Sequence, residues 1–217
     1  MYFFLLSYPI LGAGIKYIDD AFDEKSFNKK IAYIIAPILG VLWAYTMLIS
    51  PVSATILLAV LCGVFFKGKI DNYAHLAGLL VILPIVLVAG LQLLIVPLII
   101  LAVAAVLDEV GNDLIDKHRD RFDMRKFSHV FTTCFFDQRW VLKVAILFIA
   151  ILGIIPIYFF IAMVLFDYSY LMVRWYSHVK QGIPSRISLK AIRFKAPLPL
   201  ETAGIKKEPR GTPHSFE

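Results

Sequence analysis

The chain has 217 residues, of which 59% are hydrophobic and only 18% charged, with a formal net charge of +6 and a mean hydropathy of +0.76. A soluble domain of this length does not hide that much apolar surface, so the bilayer is expected to be part of its solvent. A positive balance in such a chain points to cytoplasmic loops biased toward Lys and Arg rather than to a nucleic-acid partner, and the two distant cysteines, Cys62 and Cys134, make neither a disulfide framework nor a metal pattern.

Taken in order, residues 1–18 form a short first span interrupted by Pro9. With no basic stretch ahead of it, this segment reads as a span and not as a cleaved signal. The acidic cluster Asp19-Asp20-Ala-Phe-Asp23-Glu24 follows directly. Residues 31–66 contain no Asp, Glu, Lys or Arg. They are too long for one crossing, which needs roughly 20 residues, and Ser50-Pro51 near the middle predicts a helical hairpin. Residues 74–107 are equally free of charge and predict a second hairpin that turns at Ala89-Gly90, with kinks at Pro84 and Pro97. The second acidic cluster, Asp108-Glu109-Val-Gly-Asn112-Asp113-Leu-Ile-Asp116-Lys-His-Arg-Asp120, begins where that run stops. Residues 141–176, with Gly153 and Pro156 inside, predict a third hairpin or one long tilted helix through 144–166.

Only helices satisfy their own backbone in lipid. The expected fold class is therefore all-α: a membrane bundle of about seven transmembrane helices. The turns at Ser50-Pro51, Ala89-Gly90 and 153–156 carry no charge, whereas Lys16 to Lys30, Lys67 and Lys69, Lys117 to Lys143 and the chain from Arg174 hold the basic residues. The basic side is expected to be cytoplasmic, with both acidic clusters on it. The order helix, acidic cluster, basic stretch, hairpin occurs at 1–66 and again at 91–176, which predicts two pseudo-repeated halves. Residues 1–176 form the transmembrane domain in this reading. Residues 177–217, polar, basic and punctuated by proline, form a cytoplasmic tail that is either disordered or laid on anionic headgroups.

Residues three and four apart share a helix face, so Asp19 pairs with Asp23 and Asp20 with Glu24. Asp113, Asp116 and Asp120 form one stripe with Glu109 a turn before. Like charges this close persist when solvated, paired or holding a cation. Acids at the ends of membrane helices are also ordinary solvated caps. Two clusters on one side, dominated by carboxylates and without Cys, favour the hard ion Mg²⁺, which shares its shell with phosphate oxygens.

Asp19-Asp20-Ala-Phe-Asp23 is a DDxxD sequence, and Asn112-Asp113-Leu-Ile-Asp116-Lys-His-Arg-Asp120 is NDxxDxxxD. Both resemble the aspartate-rich motifs of the UbiA superfamily of intramembrane prenyltransferases. That family carries one motif after its second helix and another after its sixth, each followed by a hairpin. The chain is similar over residues 5–176, with the family's first and last helices lacking. The resemblance implies that Asp19, Asp20, Asp23, Asp113 and Asp116 are catalytic and hold Mg²⁺, with Asp108, Asn112 and Asp120 as secondary members. It implies transfer of a prenyl group from a prenyl diphosphate to a lipophilic acceptor, with membrane lipid around the site and no nucleic acid.

A diphosphate also needs cations from the protein, and Arg119, Lys67 and Lys117 are candidates beside the clusters, although positive-inside bias alone places basic residues there. Tyr17, Tyr33, Trp43, Tyr45, Tyr73, Tyr158, Tyr168 and Tyr170 offer rings that can shield an allylic cation, or serve in interfacial belts. Asp167 lies deep in the last apolar stretch and is expected to pair with Arg174 or to belong to the site. His75 reads as a hydrogen-bonded residue just inside a span. The competing functions are a transporter of a small or lipidic solute, disfavoured by spans nearly empty of charge, and a non-catalytic membrane assembly factor. A CDP-alcohol phosphotransferase would carry a DGxxAR segment, which the sequence lacks.

Overall fold

The computed structural model describes residues 1–66, 73–118 and 126–181, with the side chains of Asp116 and Asp137 outside the described set. Among the described residues the chain is all-helical: α1 (Tyr2–Phe22), α2 (Lys29–Leu48), α3 (Pro51–Phe66), α4 (Tyr73–Ala89), α5 (Ile95–Lys117), α6 (Phe127–Asp137), α7 (Trp140–Ile151) and α8 (Tyr158–Lys180). Two of these helices are long and apolar enough to cross a membrane by length and composition, Lys29–Leu48 and Ile95–Ile115. Four others are shorter apolar helices: Pro51–Phe66, Tyr73–Ala89, Phe127–Phe136 and Trp140–Ile151.

The helices break where the sequence predicts turns. Asn28 caps α2, its side chain accepting from the Lys30 N–H at 2.9 Å. The α2–α3 turn falls at Ser50, with Pro51 opening α3, a position where its missing N–H costs nothing. The other two predicted turns each contain a glycine in the left-handed region, Gly90 at φ +73° and Gly153 at φ +74°. A side chain would be strained at either place. The break at Gly153 also makes residues 141–176 a hairpin and not one tilted helix.

Contacts close six helices into a ring, α1 to α2 to α3 to α5 to α7 to α8 and back to α1, while α4 packs against α2. Helices α1 and α8 run in the same direction. Tyr8 meets Phe159, the Ser169 hydroxyl donates to the Pro9 carbonyl at 2.7 Å, and Ser26 meets Ser177 at 2.6 Å. The core inside the ring is apolar and includes Tyr8, Leu11, Met47, Ile56, Leu57, Leu101, Ile146 and Phe159, all fully buried. Hydroxyls within it are satisfied locally: Thr46 and Thr55 donate back to carbonyls four residues earlier. Tyr8 and Ser53 bond to each other at 3.1 Å.

The stretch from Lys117 to Lys143, predicted as one basic connection, contains the separate helix α6. It is seated on α5 where Gly111 leaves room for the Phe136 ring, a space that a Cβ would fill. The buried partner of Asp167 is Lys143 on the neighbouring helix α7 and not Arg174. Arg174 lies two turns along the same helix, about 10 Å away by helical rise, whereas the neighbouring helix presents its ammonium directly.

Candidate functional site

A cavity of about 370 Å³ lies among α1, α2, α3, α4 and α8. Its walls are almost wholly apolar, with Leu39 and Trp43 from α2, Leu61 and Phe65 from α3, and Leu79 and Ile82 from α4. Four polar side chains line one end: Asp19, His75, Arg139 and Tyr170. That end belongs to the side of the bundle where both acidic clusters sit. From His75 to Leu83 along α4 the cavity runs eight residues, about 12 Å at the rise of an α-helix.

The polar end is a connected set. Asp19, about a quarter exposed, accepts from Tyr170 Oη on Oδ2 at 3.3 Å, and its Oδ1 lies 3.1 Å from His75 Nε2. Two cations lie over the Tyr170 ring, Lys16 Nζ 5.2 Å and Arg139 Cζ 5.5 Å from its centroid. Lys16 reaches one turn along α1 to Asp20 Oδ1 at 2.8 Å. Arg139 Nη2 holds Glu109 Oε1 at 2.9 Å. Tyr170 and Arg139 thus join the end of α1 to the end of α5.

Arg139 owes its place to a corner in the backbone. Helix α6 ends at Asp137, Arg139 takes left-handed angles (φ 52°, ψ 53°), and α7 starts at Trp140. Such angles are uncommon for a residue with a Cβ. The corner is held by Asp108, whose carboxylate accepts from the Val141 N–H at 2.9 Å and the Leu142 N–H at 2.7 Å. An anion on the free amides of a helix N-terminus satisfies two donors and complements the helix dipole. Burial opposes the charge on Arg139, but Tyr170, Glu109, Asp167 and Asp19 around it outweigh this and raise its pKa above the ordinary value. It is a permanent cation facing the cavity. A second void of about 20 Å³ adjoins it, lined by Asp108, Glu109 and Arg139 among apolar residues. It has room and polar partners for a single water.

Of the residues expected at the site, Asp19 stands at the cavity. Asp20 is 1% exposed, and its Oδ2 has no hydrogen-bond partner among the described residues. Asp23, Asp113 and Lys117 are exposed, and Asn112 is half-buried. Lys67, Arg119 and Asp120 lie outside the described residues, as does the Asp116 side chain. Among the described residues no three His, Cys, Asp or Glu side chains converge as a metal site. Trp43 and Tyr170 are the two of the eight named aromatics that line the cavity.

Arg139 was not singled out by sequence reasoning. The available signal is the polar interruption Asp137-Gln138-Arg139 between the apolar runs of α6 and α7. No family model matches the chain, and neither does any curated protein or solved structure.

Proposed function

We propose that this chain is a multi-pass membrane protein that receives a prenyl diphosphate, its hydrocarbon chain in the cavity and its diphosphate at the Asp19–His75–Arg139–Tyr170 end, and transfers the prenyl group to a lipophilic acceptor with magnesium. The observation that carries this reading is an apolar cavity ending in a partly buried arginine at the side where both acidic clusters lie. Near seven spans are assigned because the shorter apolar helices α3, α4 and α7 belong to the same ring or pack against it, and because their turns carry no charge. The two pseudo-repeated halves are α1–α2–α3 and α5–α7–α8, joined in the ring by α3 on α5 and by α8 on α1. The acidic clusters are then cytoplasmic.

The cavity volume supports the ligand class. A cavity of about 150 Å³ takes a six-carbon ring, so about 370 Å³ corresponds to roughly 15 carbons. Arg139 grips the departing diphosphate through two N–H groups, once it exchanges Glu109 for the stronger anion. Trp43 offers a ring face to an allylic cation. His75, held by Asp19, faces the cavity, placed to take a proton from the acceptor. Asp19 and Asp20, whose Oδ2 has no hydrogen-bond partner among the described residues, are carboxylates of two consecutive residues, the number Mg²⁺ usually draws from a protein that also presents phosphate oxygens. Bound there, the ion would neutralise charge on the leaving group. The resemblance adds Asp23, Asp113 and Asp116 to this set.

A second reading has its own support: Asp19 and Asp20 already have internal partners, which suits a lipid-binding or assembly protein without turnover. One experiment separates them. The detergent-solubilised chain is melted with farnesyl diphosphate, with and without Mg²⁺, and diphosphate release is followed on adding a lipophilic phenol or quinol acceptor. A Mg²⁺-dependent rise in Tm is expected, because a ligand that binds only the folded state stabilises it. A rise without diphosphate release selects the non-catalytic reading. No rise with any prenyl diphosphate from about ten to twenty carbons removes the prenyl transfer reading.

A further inference from the structure

Helix α6 leaves an aromatic face uncovered. Phe127 is 83% exposed and Phe131 57%, and their rings stack at 6.2 Å. Phe135 continues the row, 5.8 Å from Phe131. The spacing of four residues places all three on one side of the helix. Phe136 and the buried Thr133 face the opposite way, with Phe136 against Gly111 of α5. Beside the row lie the polar side chains of Ser128 and Thr132. An 11-residue helix is about 16 Å long, too short to cross a bilayer. An apolar row flanked by hydroxyls is the pattern of a helix lying in the interface plane.

Two further observations choose the occupant of this face. Exposed Lys117 and Lys126 stand at the end of α5 and the start of α6, and in sequence residues 117–126 hold five Lys or Arg against two Asp. Lysines at the start of an aromatic helix complement an anionic leaflet. The outward stripe of α5, Ile99, Val103, Leu107, Val110 and Leu114, is exposed and apolar up to the end where α6 packs, so the phenyl row extends that surface.

We propose that α6 is an in-plane anchor that lays Phe127, Phe131 and Phe135 into the acyl boundary of an anionic lipid leaflet. This rests on the multi-pass reading. Its consequence for the site is mechanical: the anchor ends two residues before Arg139, so the leaflet fixes the corner that aims this cation into the cavity.

The test is spin-label accessibility in the full chain, reconstituted in vesicles of phosphatidylcholine with and without phosphatidylglycerol. Labels are placed singly by Phe131→Cys, Ser128→Cys and Val103→Cys in a Cys62→Ser, Cys134→Ser background. Position 131 should favour oxygen over a water-soluble nickel chelate severalfold, position 128 should favour the chelate, and 131 should read deeper when phosphatidylglycerol is present. Equal chelate access at 131 and 128 overturns the anchor. So does a label at 131 that neither reagent reaches, which would mean a protein partner or a second copy covers the row. Equal depth in the two vesicle types overturns the anionic preference. Position 103 is the reference: oxygen-favoured at 103 with water at 131 sinks the anchor alone, while water at 103 sinks the membrane reading beneath it.

Discussion

The ends of α1 and α5 are built alike and used differently. Each brings two adjacent acids to the same side of the bundle, Asp19-Asp20 and Asp108-Glu109, and each has a lysine pair nearby. At the end of α5 the acids hold backbone amides and a guanidinium of the protein. Asp108 caps α7, and Glu109 holds Arg139. At the end of α1, Asp19 rests on His75 and a tyrosine hydroxyl, and Asp20 keeps one oxygen without a partner among the described residues. A carboxylate bonded to backbone amides has nowhere better to go. One that rests on an imidazole and a phenol at a cavity can exchange them for a ligand. In the proposed reading the α5 end is scaffold and the α1 end the working surface, a division that substitutions can break or sharpen.

The largest effect is expected at Lys143→Met. Asp167 is buried, and its ammonium partner would be gone. Removing one member of a buried pair costs about 3–5 kcal/mol. In a chain of this size that lowers Tm by roughly 10 °C or more. The double variant Lys143→Met, Asp167→Leu should recover most of the loss, since no charge is then stranded. If the single variant melts like the wild type, the α5–α7–α8 side is not the scaffold described above.

Asp108→Ala comes next. It uncaps two amides at the start of α7 and frees the corner that holds Arg139. Cap losses of about 1–2 kcal/mol are usual, and a charged acceptor adds to this. The expected drop is several degrees in Tm, together with weaker binding of farnesyl diphosphate through the displaced arginine. Unchanged binding would separate Arg139 from the ligand.

Asp19→Asn should do the reverse. Stability should change by less than about 1 kcal/mol, because Asn keeps an oxygen for Tyr170 and the site is partly open. The Mg²⁺-dependent rise in Tm with farnesyl diphosphate should vanish. A variant that melts early without ligand, yet keeps the rise, would make Asp19 structural and would invert the comparison between the two ends.

The hairpins were legible in the sequence because uncharged turns with Ser-Pro, Ala-Gly and Gly-Pro signals alternate with charged connections. Gly90 and Gly153 adopt left-handed angles in two of those turns. The pairing of helices that are distant in sequence, α1 with α8 and α3 with α5, was not legible, since each is apolar on most faces and periodicity names no partner. At the site, Asp19 stood out by composition, whereas Arg139 looked like one basic residue among many. Its importance arises from the left-handed corner between α6 and α7, which no local pattern announces. Asp167 shows the same limit: its depth marked it for a partner, but which helix supplies the partner is a property of packing.

The smallest expected effect is also the most discriminating. Asp113 belongs to the NDxxDxxxD motif, and the resemblance makes it a magnesium ligand. Yet it is exposed at the end of α5 and is not among the residues lining the cavity. Truncating an exposed surface acid usually changes stability by no more than about 0.5 kcal/mol. Asp113→Ala should therefore leave Tm within a degree or two. On the geometry described here it should also change the Mg²⁺-dependent stabilisation by farnesyl diphosphate less than twofold. Asp19→Asn, measured beside it, supplies the contrast. If Asp113→Ala abolishes the ligand effect at unchanged apo stability, the α5 end must turn inward when diphosphate binds, both clusters work on the ligand, and the motif is the better guide. If it does not, the second cluster serves the fold through Asp108 and Glu109, and the chemistry rests on the first.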